Sequence, residues 1–182
     1  MAAQTTLDAV ALLKADHRKV EDLFEKFEAA KSGSVKQKLV EQICTELSVH
    51  ATIEEEIFYP ACAGKIEDED LLQEAYVEHD GAKVLIAELM GKGPDDEFYD
   101  AKVKVLSEMI KHHVKEEEQR SEGLFAEAKE AGLDMEALGE RMAARKEELL
   151  MQIKDSGIPT PQTRSYSGHE LEQGAPIEKA AA

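Results

Sequence analysis

The sequence has no basic leader, no long apolar run, few cysteines and no excess of positive charge, and each lack closes off a class of protein. Its opening, MAAQTTLDAVALLK, lacks a basic start and puts Asp8 inside a very short apolar stretch. Neither a signal peptide nor a membrane span is therefore expected, and a soluble, cytoplasmic protein is. The 2 cysteines, Cys44 and Cys62, are too few for a disulfide framework, and their separation of 18 residues matches no zinc knuckle. They read as buried or idle thiols. With 39 acidic against 22 basic residues the net charge is -17, which repels phosphates and argues against nucleic acid as a partner while favouring cations. Sustained alternation of apolar and polar residues is missing as well, so strands are not expected.

What the chain has instead is helical periodicity. Apolar residues recur at spacings of three and four between Leu7 and Ile153, and 182 residues with 42% hydrophobic content suffice for one core. Glycine and proline punctuation divides the chain into five predicted helices, roughly 6–30, 35–63, 69–90, 96–131 and 134–154. Ser34 with Gln37 suits a capping box for the second, and Asp95 or Asp96 can cap the fourth. From residue 155 to 182, prolines, serines and glycines dominate and few large apolar side chains remain, so this segment reads as a flexible tail.

The helices repeat. The first carries a stripe of Val10, Leu13, His17, Val20, Phe24 and Phe27, and a shift of 62 residues gives Leu72, Ala75, His79, Ala82, Ile86 and Leu89. In the second, Val40, Ile43, Leu47, His50 and Glu54 recur after 63 residues as Val103, Leu106, Ile110, His113 and Glu117. Each half is thus a helix pair with His on one member and His-x-x-x-Glu on the other, which predicts an all-α, antiparallel up-down four-helix bundle with an internal two-fold repeat. The same register favours His113 over its neighbour, since placing His112 and Glu116 inward would bring Lys102 onto the stripe.

Residues four apart lie one above the other on a helix, so each His-x-x-x-Glu pair can aim a nitrogen and a carboxylate at one point. A lone inward histidine is more often a core residue satisfied by a hydrogen bond. Four histidines and two glutamates at one repeated offset are different, because they would leave several buried ionisable groups uncompensated unless a cation joined them. His17, His50, Glu54, His79, His113 and Glu117 are accordingly the candidate ligands. Mixed imidazole and carboxylate donors suit iron, manganese or zinc, and six exceed what one tetrahedral zinc needs, so two metals are implied. Of the acid runs Glu54-Glu55-Glu56 and Glu116-Glu117-Glu118, only one member each is expected to face inward, the others being solvated surface.

The segments DHRKVEDLF, HATIEEEIFYP, EHDGAKVLIAEL and HHVKEEE, in this order and spacing, resemble the four helix signatures of the hemerythrin-like cation-binding (HHE) domain over roughly residues 8–130. That resemblance implies a non-haem di-iron centre with a bridging oxygen or hydroxide, the six residues above as its ligands, and a small diatomic ligand or peroxide as its partner. Two departures stand out. Oxygen-carrying hemerythrins place a further histidine one turn after the ligand matching His79, whereas Lys83 stands here, which weighs against reversible oxygen carriage; Lys83 reads most simply as a surface or snorkelling side chain. After Glu118, about one extra turn is inserted before Leu124. The fifth helix lies outside the resemblance; docking along the bundle is its simplest reading and a homodimer contact through 134–154 the alternative. Tyr59, Tyr76 and Tyr99 could approach the site, but packing is their simpler reading.

The leading expectation is a protein that binds or senses oxygen, nitric oxide or the redox or iron state. The alternative is a di-iron enzyme of catalase-like, peroxidase-like or ferroxidase activity; the imidazole-rich donor set leans away from iron oxidation. Repair of iron-sulfur clusters ranks lower, for want of a paired cysteine segment near the N-terminus. His113→Ala should lower bound metal sharply and His112→Ala should do little when metal content of the purified variants is measured; the reverse would show that the helical register is wrong.

Overall fold

Asp8 accepts a hydrogen bond from the Ala11 amide at 2.7 Å and so starts the first helix, α1 (Ala9–Ala29). The structure is a computed structural model that describes residues 7–166, and those residues are helical with no strand among them. Ala30 to Ser32 lead into α2 (Gly33–Ile53). The expected capping box is not made: the helix begins ahead of Ser34, Ser32 stands at the N-cap, and its hydroxyl faces that of Ser34 at 2.9 Å.

Nor does the second helix run uniformly to residue 63. From Glu54 to Phe58 it widens into a π-helical turn and resumes as α3 (Tyr59–Cys62). Pro60 explains the change, because it has no N–H to offer the carbonyl four residues back, and the wider turn absorbs the loss. Next come α4 (Asp70–Gly91) and α5 (Tyr99–Glu117). Asp96 does not cap α5; it accepts from the Phe98 amide and pairs with Lys102 at 2.9 Å in the preceding turn. The expected fourth helix is interrupted as well, since residues 118–123 fold back tightly before α6 (Leu124–Glu130). Gly123 permits the fold-back, for a Cβ there would lie 2.7 Å from the backbone of Gln119.

The long helices pack in pairs, α1 with α2 and α4 with α5, and the pairs meet through α2 with α4 and α1 with α5, forming a helical bundle. Its core is in two parts. One cluster gathers Leu13, Ile53, Phe58, Tyr59, Leu72, Phe125 and Met142; the other gathers Val20, Phe24, Ile43, Leu47, Ile86, Leu106 and Ile110. Between them lies a polar layer.

The last helix, α7 (Met135–Ser156), packs on α1, α2 and the π turn, as docking along the bundle requires. Leu138 and Met142 are buried, and Gly139 lies so close to the start of α1 that a Cβ would sit 2.8 Å from the Ala9 nitrogen. Arg145 reaches Glu56 at 2.7 Å, and Lys146 pairs with the buried Asp16. α7 runs to Ser156, into the segment read from composition as a tail, and residues 157–166 return across the bundle. Ile158 packs on the second cluster, while the amides of Arg164 and Ser165 and the Ser165 hydroxyl all donate to Asp80. Composition hid this because backbone amides supply most of the anchor. Residues 167–182, His169 included, lie outside the described part. No helix among the described residues is long and apolar enough to cross a membrane.

The Gly139 contact is testable. Gly139→Ala should destabilise the protein by about 1–3 kcal/mol in urea unfolding, the usual cost of overpacking, whereas Gly93→Ala, with open space at the Cβ position, should cost less than about 0.5 kcal/mol. Equal effects would contradict the tight docking of α7.

Candidate metal centre

The polar layer is formed where the four stripes meet at one level. His17 follows Leu13 on α1, His50 follows Leu47 on α2 and His79 follows Ala75 on α4, so these three helices pass from one apolar cluster to the other at their histidines, while His113 follows Ile110 near the end of α5, whose buried apolar residues all belong to the second cluster. Glu54 and Glu117, one turn further along α2 and α5, join them. All six side chains are buried, Glu54 completely. His112, by contrast, is 64% exposed on the outer face, where it pairs with Glu116 at 3.2 Å.

The histidines come in two pairs. Nε2 of His17 lies 3.1 Å from Nε2 of His50, and Nε2 of His79 lies 3.2 Å from Nε2 of His113. Both carboxylates stand between the pairs. Glu54 Oε2 is 3.1 Å from His50 Nε2 and 3.4 Å from His79 Nε2, while Glu117 Oε2 is 3.4 Å from His17 Nε2 and 3.5 Å from His113 Nε2. Two overlapping donor groups result, His17, His50, Glu54 and Glu117 in one and Glu54, His79 and His113 in the other, with the donor atoms of each within 4.8 Å of one another.

The other ring nitrogens fix what these Nε2 atoms can do. Nδ1 of His17 donates to Glu118 at 2.8 Å, Nδ1 of His79 to Glu55 at 3.0 Å and Nδ1 of His113 to Glu78 at 2.7 Å. A neutral imidazole whose Nδ1 carries the proton has a bare lone pair on Nε2, so lone pairs converge at the centre of the layer. Glu54 Oε1 and Glu117 Oε2 are also buried there without a hydrogen bond. Facing lone pairs beside orphaned carboxylate oxygens repel unless positive charge lies among them, so the donor set fits a bound cation.

In the metal-free protein, protons partly fill that role. Burial opposes charge on His50, yet Glu54, Asp16 and Glu117 lift it to about 10; His113 rises to about 9, again against burial, through Glu117, Glu78 and Glu54. Burial likewise opposes charge on Glu54, but His50 and His79 hold its carboxyl well below the usual carboxylate range.

Sequence reasoning missed an outer ring of carboxylates. Glu55 and Glu118 are not simply solvated surface: Glu55 is only 9% exposed, and each takes the Nδ1 proton of an inward histidine. Periodicity counts directions about a regular helix, and it takes no account of the π turn at Glu55 or of the reach of a glutamate. Asp16 faces His50 Nδ1 at 3.6 Å, beyond a direct hydrogen bond. Each outer carboxylate in turn meets a cationic or ring-nitrogen partner: Arg18 on Glu118, Lys146 on Asp16, Lys83 on Glu55 and His112 on Glu78. Lys83 is therefore no plain surface residue; at 14% exposure it holds Glu55 at 2.6 Å, the carboxylate that orients His79. Of the three tyrosines, Tyr59 does reach the site. Its hydroxyl donates to Glu117 at 3.1 Å and lies 3.2 Å from His79 Nε2, and burial, then Glu117 and Glu54, push the phenol well above its ordinary value. Tyr76 packs edge-on against Tyr59, and Tyr99 lies beside Phe27 in the second cluster. Cys44 and Cys62 are buried free thiols, each pushed up to about 12 by burial.

Comparison with known proteins points to a cation-binding family. The model of the hemerythrin family, described as the hemerythrin HHE cation binding domain, matches residues 8–128. A crystal structure of a hemerythrin HHE cation-binding domain-containing protein from Mycobacterium kansasii superposes with a TM-score of 0.67 at 24% identity, covering 84% of this chain and 95% of that one. A protein of Nostoc sp. named DNA nickase is 29% identical over 107 residues, and the match spans 59% of this chain but 30% of that longer relative.

The raised histidines give the metal-free protein a definite pH profile. His50 and His113 contribute stability that is fully present below their unfolded value of 6.5 and lost as pH rises through about 9 and 10. Denaturant unfolding of chelator-treated protein should therefore show falling stability between pH 6.5 and 10, and His50→Ala should flatten the fall. Constant stability across that window would contradict the assigned electrostatics.

Proposed function

Because the chain belongs to the hemerythrin HHE cation-binding domain family, we propose that its buried layer holds two non-haem iron ions and that the protein binds or senses oxygen, nitric oxide or the cellular redox or iron state. The observation that carries this reading is the convergence of two Nε2 pairs, each on its own side of the layer, with Glu54 and Glu117 placed between them. Two histidines for each metal and two carboxylates shared between them is the assignment this arrangement favours, with His17 and His50 on one ion and His79 and His113 on the other. Iron held there would supply redox chemistry and coordination positions for a small ligand. The chain's own contribution is to fix the tautomer of each ring through the outer carboxylates and to hold the layer dry between two apolar clusters.

Contacts along α1 and α2 support an antiparallel bundle: Lys19 pairs with Glu46 and Lys36 lies over Phe27, so positions advance along one helix as they retreat along the other. Within it we take residues 6–131 as the iron-binding unit and 134–154 as an accessory helix. The relative named DNA nickase gives no reason to assign nucleic acid to this chain, whose net charge of -17 opposes it.

A second reading, an oxidoreductase acting on peroxide, is favoured by Tyr59. Its hydroxyl is a buried hydrogen-bond donor within reach of Glu117 and His79, and Lys83 stands where oxygen carriers have a fifth histidine. That replacement also weighs against long-lived oxygen carriage.

Metal analysis after expression with iron should give about two irons per chain; less than one transition metal per chain after attempted reconstitution would contradict the proposal. The reduced protein should change its optical spectrum with oxygen or nitric oxide and autoxidise rather than cycle reversibly. Tyr59→Phe should leave iron content unchanged, and a loss of peroxide turnover of tenfold or more in that variant would select the enzyme over the sensor.

A further inference from the structure

Beside the polar layer lies a cavity of about 350 Å3 whose histidine end is formed by His17, His50, His79 and His113. Its walls are mainly apolar, with Val20, Leu47, Ala82, Ile86, Ile110 and Val114 interrupted by Ser48 and Thr52, and its roof is the returning C-terminal segment through Pro159, Pro161 and Gln162. The roof is fastened rather than merely adjacent. Asp80, itself buried, accepts from the Arg164 amide at 2.7 Å and from the Ser165 hydroxyl at 2.7 Å, Ile158 packs into the second apolar cluster, and the Arg164 guanidinium lies over the Tyr76 ring.

We propose that this cavity binds an uncharged organic molecule with an apolar body and one small polar head, of the alcohol or hydroperoxide class, seated with the head toward the histidines. Size is the first argument. A water occupies about 30 Å3, so oxygen, nitric oxide or hydrogen peroxide would use roughly a tenth of the space, whereas pockets for organic ligands begin near 300 Å3. The second is wall chemistry: ordered water needs two to four polar partners, and away from the histidines and the charged rim most of the wall is aliphatic, with Ser48 and Thr52 its hydroxyls. The third is charge. Lys83 and Arg164 both face Glu55, at 2.6 and 3.7 Å, Glu56 is held by Arg145 and Asp16 by Lys146, so the rim presents no spare charge to a charged ligand. The four imidazoles converge at one end, and the charged rim residues are already paired, which sets the orientation. The inference deepens the function proposed above and rests on it for what the head meets, though not for the binding of the apolar body.

The test uses 2-phenyl-2-propanol, a redox-inert member of the class, titrated by calorimetry into the full-length protein both metal-free and loaded with zinc, with metal content measured on the same samples. One molecule per chain should bind with a dissociation constant of about 0.1–1 mM, as ligand efficiency for some ten heavy atoms suggests. Ala82→Leu, which fills the cavity from its wall, should weaken binding at least tenfold. Should that variant fail to fold, Asp80→Ala decides instead, since releasing the roof should weaken binding severalfold without touching the histidines. Absence of saturable binding up to 10 mM, or binding unchanged in every folded variant, would overturn the proposal. Full metal occupancy with no alcohol bound would sink this inference alone; alcohol bound by a chain that takes up no metal would sink the metal reading and leave the cavity assignment standing.

Discussion

The structure depends on the burial of four imidazoles and two carboxylates in a single layer across a helical bundle. Removing such groups from water costs several kcal/mol for each ion that lacks compensation. The layer therefore organises its surroundings. It divides the core into two apolar clusters, it demands a helix-by-helix match in the level of His17, His50, His79 and His113, and it leaves Glu54 Oε1 and Glu117 Oε2 without partners. Only positive charge at the centre relieves all of these demands together, whether from protons on His50 and His113 or from metal.

The outer contacts answer the same constraint from the other side. Three of the histidines donate Nδ1 to a carboxylate, the fourth faces Asp16, and each carboxylate has a positively charged or ring-nitrogen partner beyond it. Elements outside the four long helices are recruited through these pairs. Lys146 ties α7 to Asp16 and so to His50; Arg145 ties it to Glu56 beside the π turn. The C-terminal segment meets Glu55 through Arg164 and fastens to Asp80, the residue that follows His79. A chain with a large acidic excess can thus use part of that excess as ligand support, with lysine and arginine neutralising it locally.

Much of this was legible in the sequence because helical periodicity is a one-dimensional record of which face is buried. The offsets of 62 and 63 residues that relate the stripes put all six donors at one level, and the structure brings those six together. The all-helical class followed from the same spacing, whereas the hemerythrin resemblance rested on the segments DHRKVEDLF, HATIEEEIFYP, EHDGAKVLIAEL and HHVKEEE. Less legible were features that depend on departures from a regular helix or on contacts distant in sequence. The second helix was read straight through Pro60, and the π turn over Glu54 to Phe58 that precedes it is a departure that regular periodicity does not record. Glu55 and Glu118 looked exposed because angle about the helix axis says nothing of what a long side chain can reach. Lys83 looked like surface because its partner, Glu55, sits on another helix. The segment after Ser156 looked unstructured because its anchoring groups are mostly backbone amides, which composition does not record.

The central claim is that two metals lie in this layer, one at each Nε2 pair. Anomalous diffraction from a crystal of the iron-loaded protein tests it most directly. The account predicts two anomalous peaks, one beside Nε2 of His17 and His50 and one beside Nε2 of His79 and His113, with Glu54 and Glu117 between them. A single peak, or metal seated only at the exposed cluster of Glu78, His112 and Glu116, would contradict it.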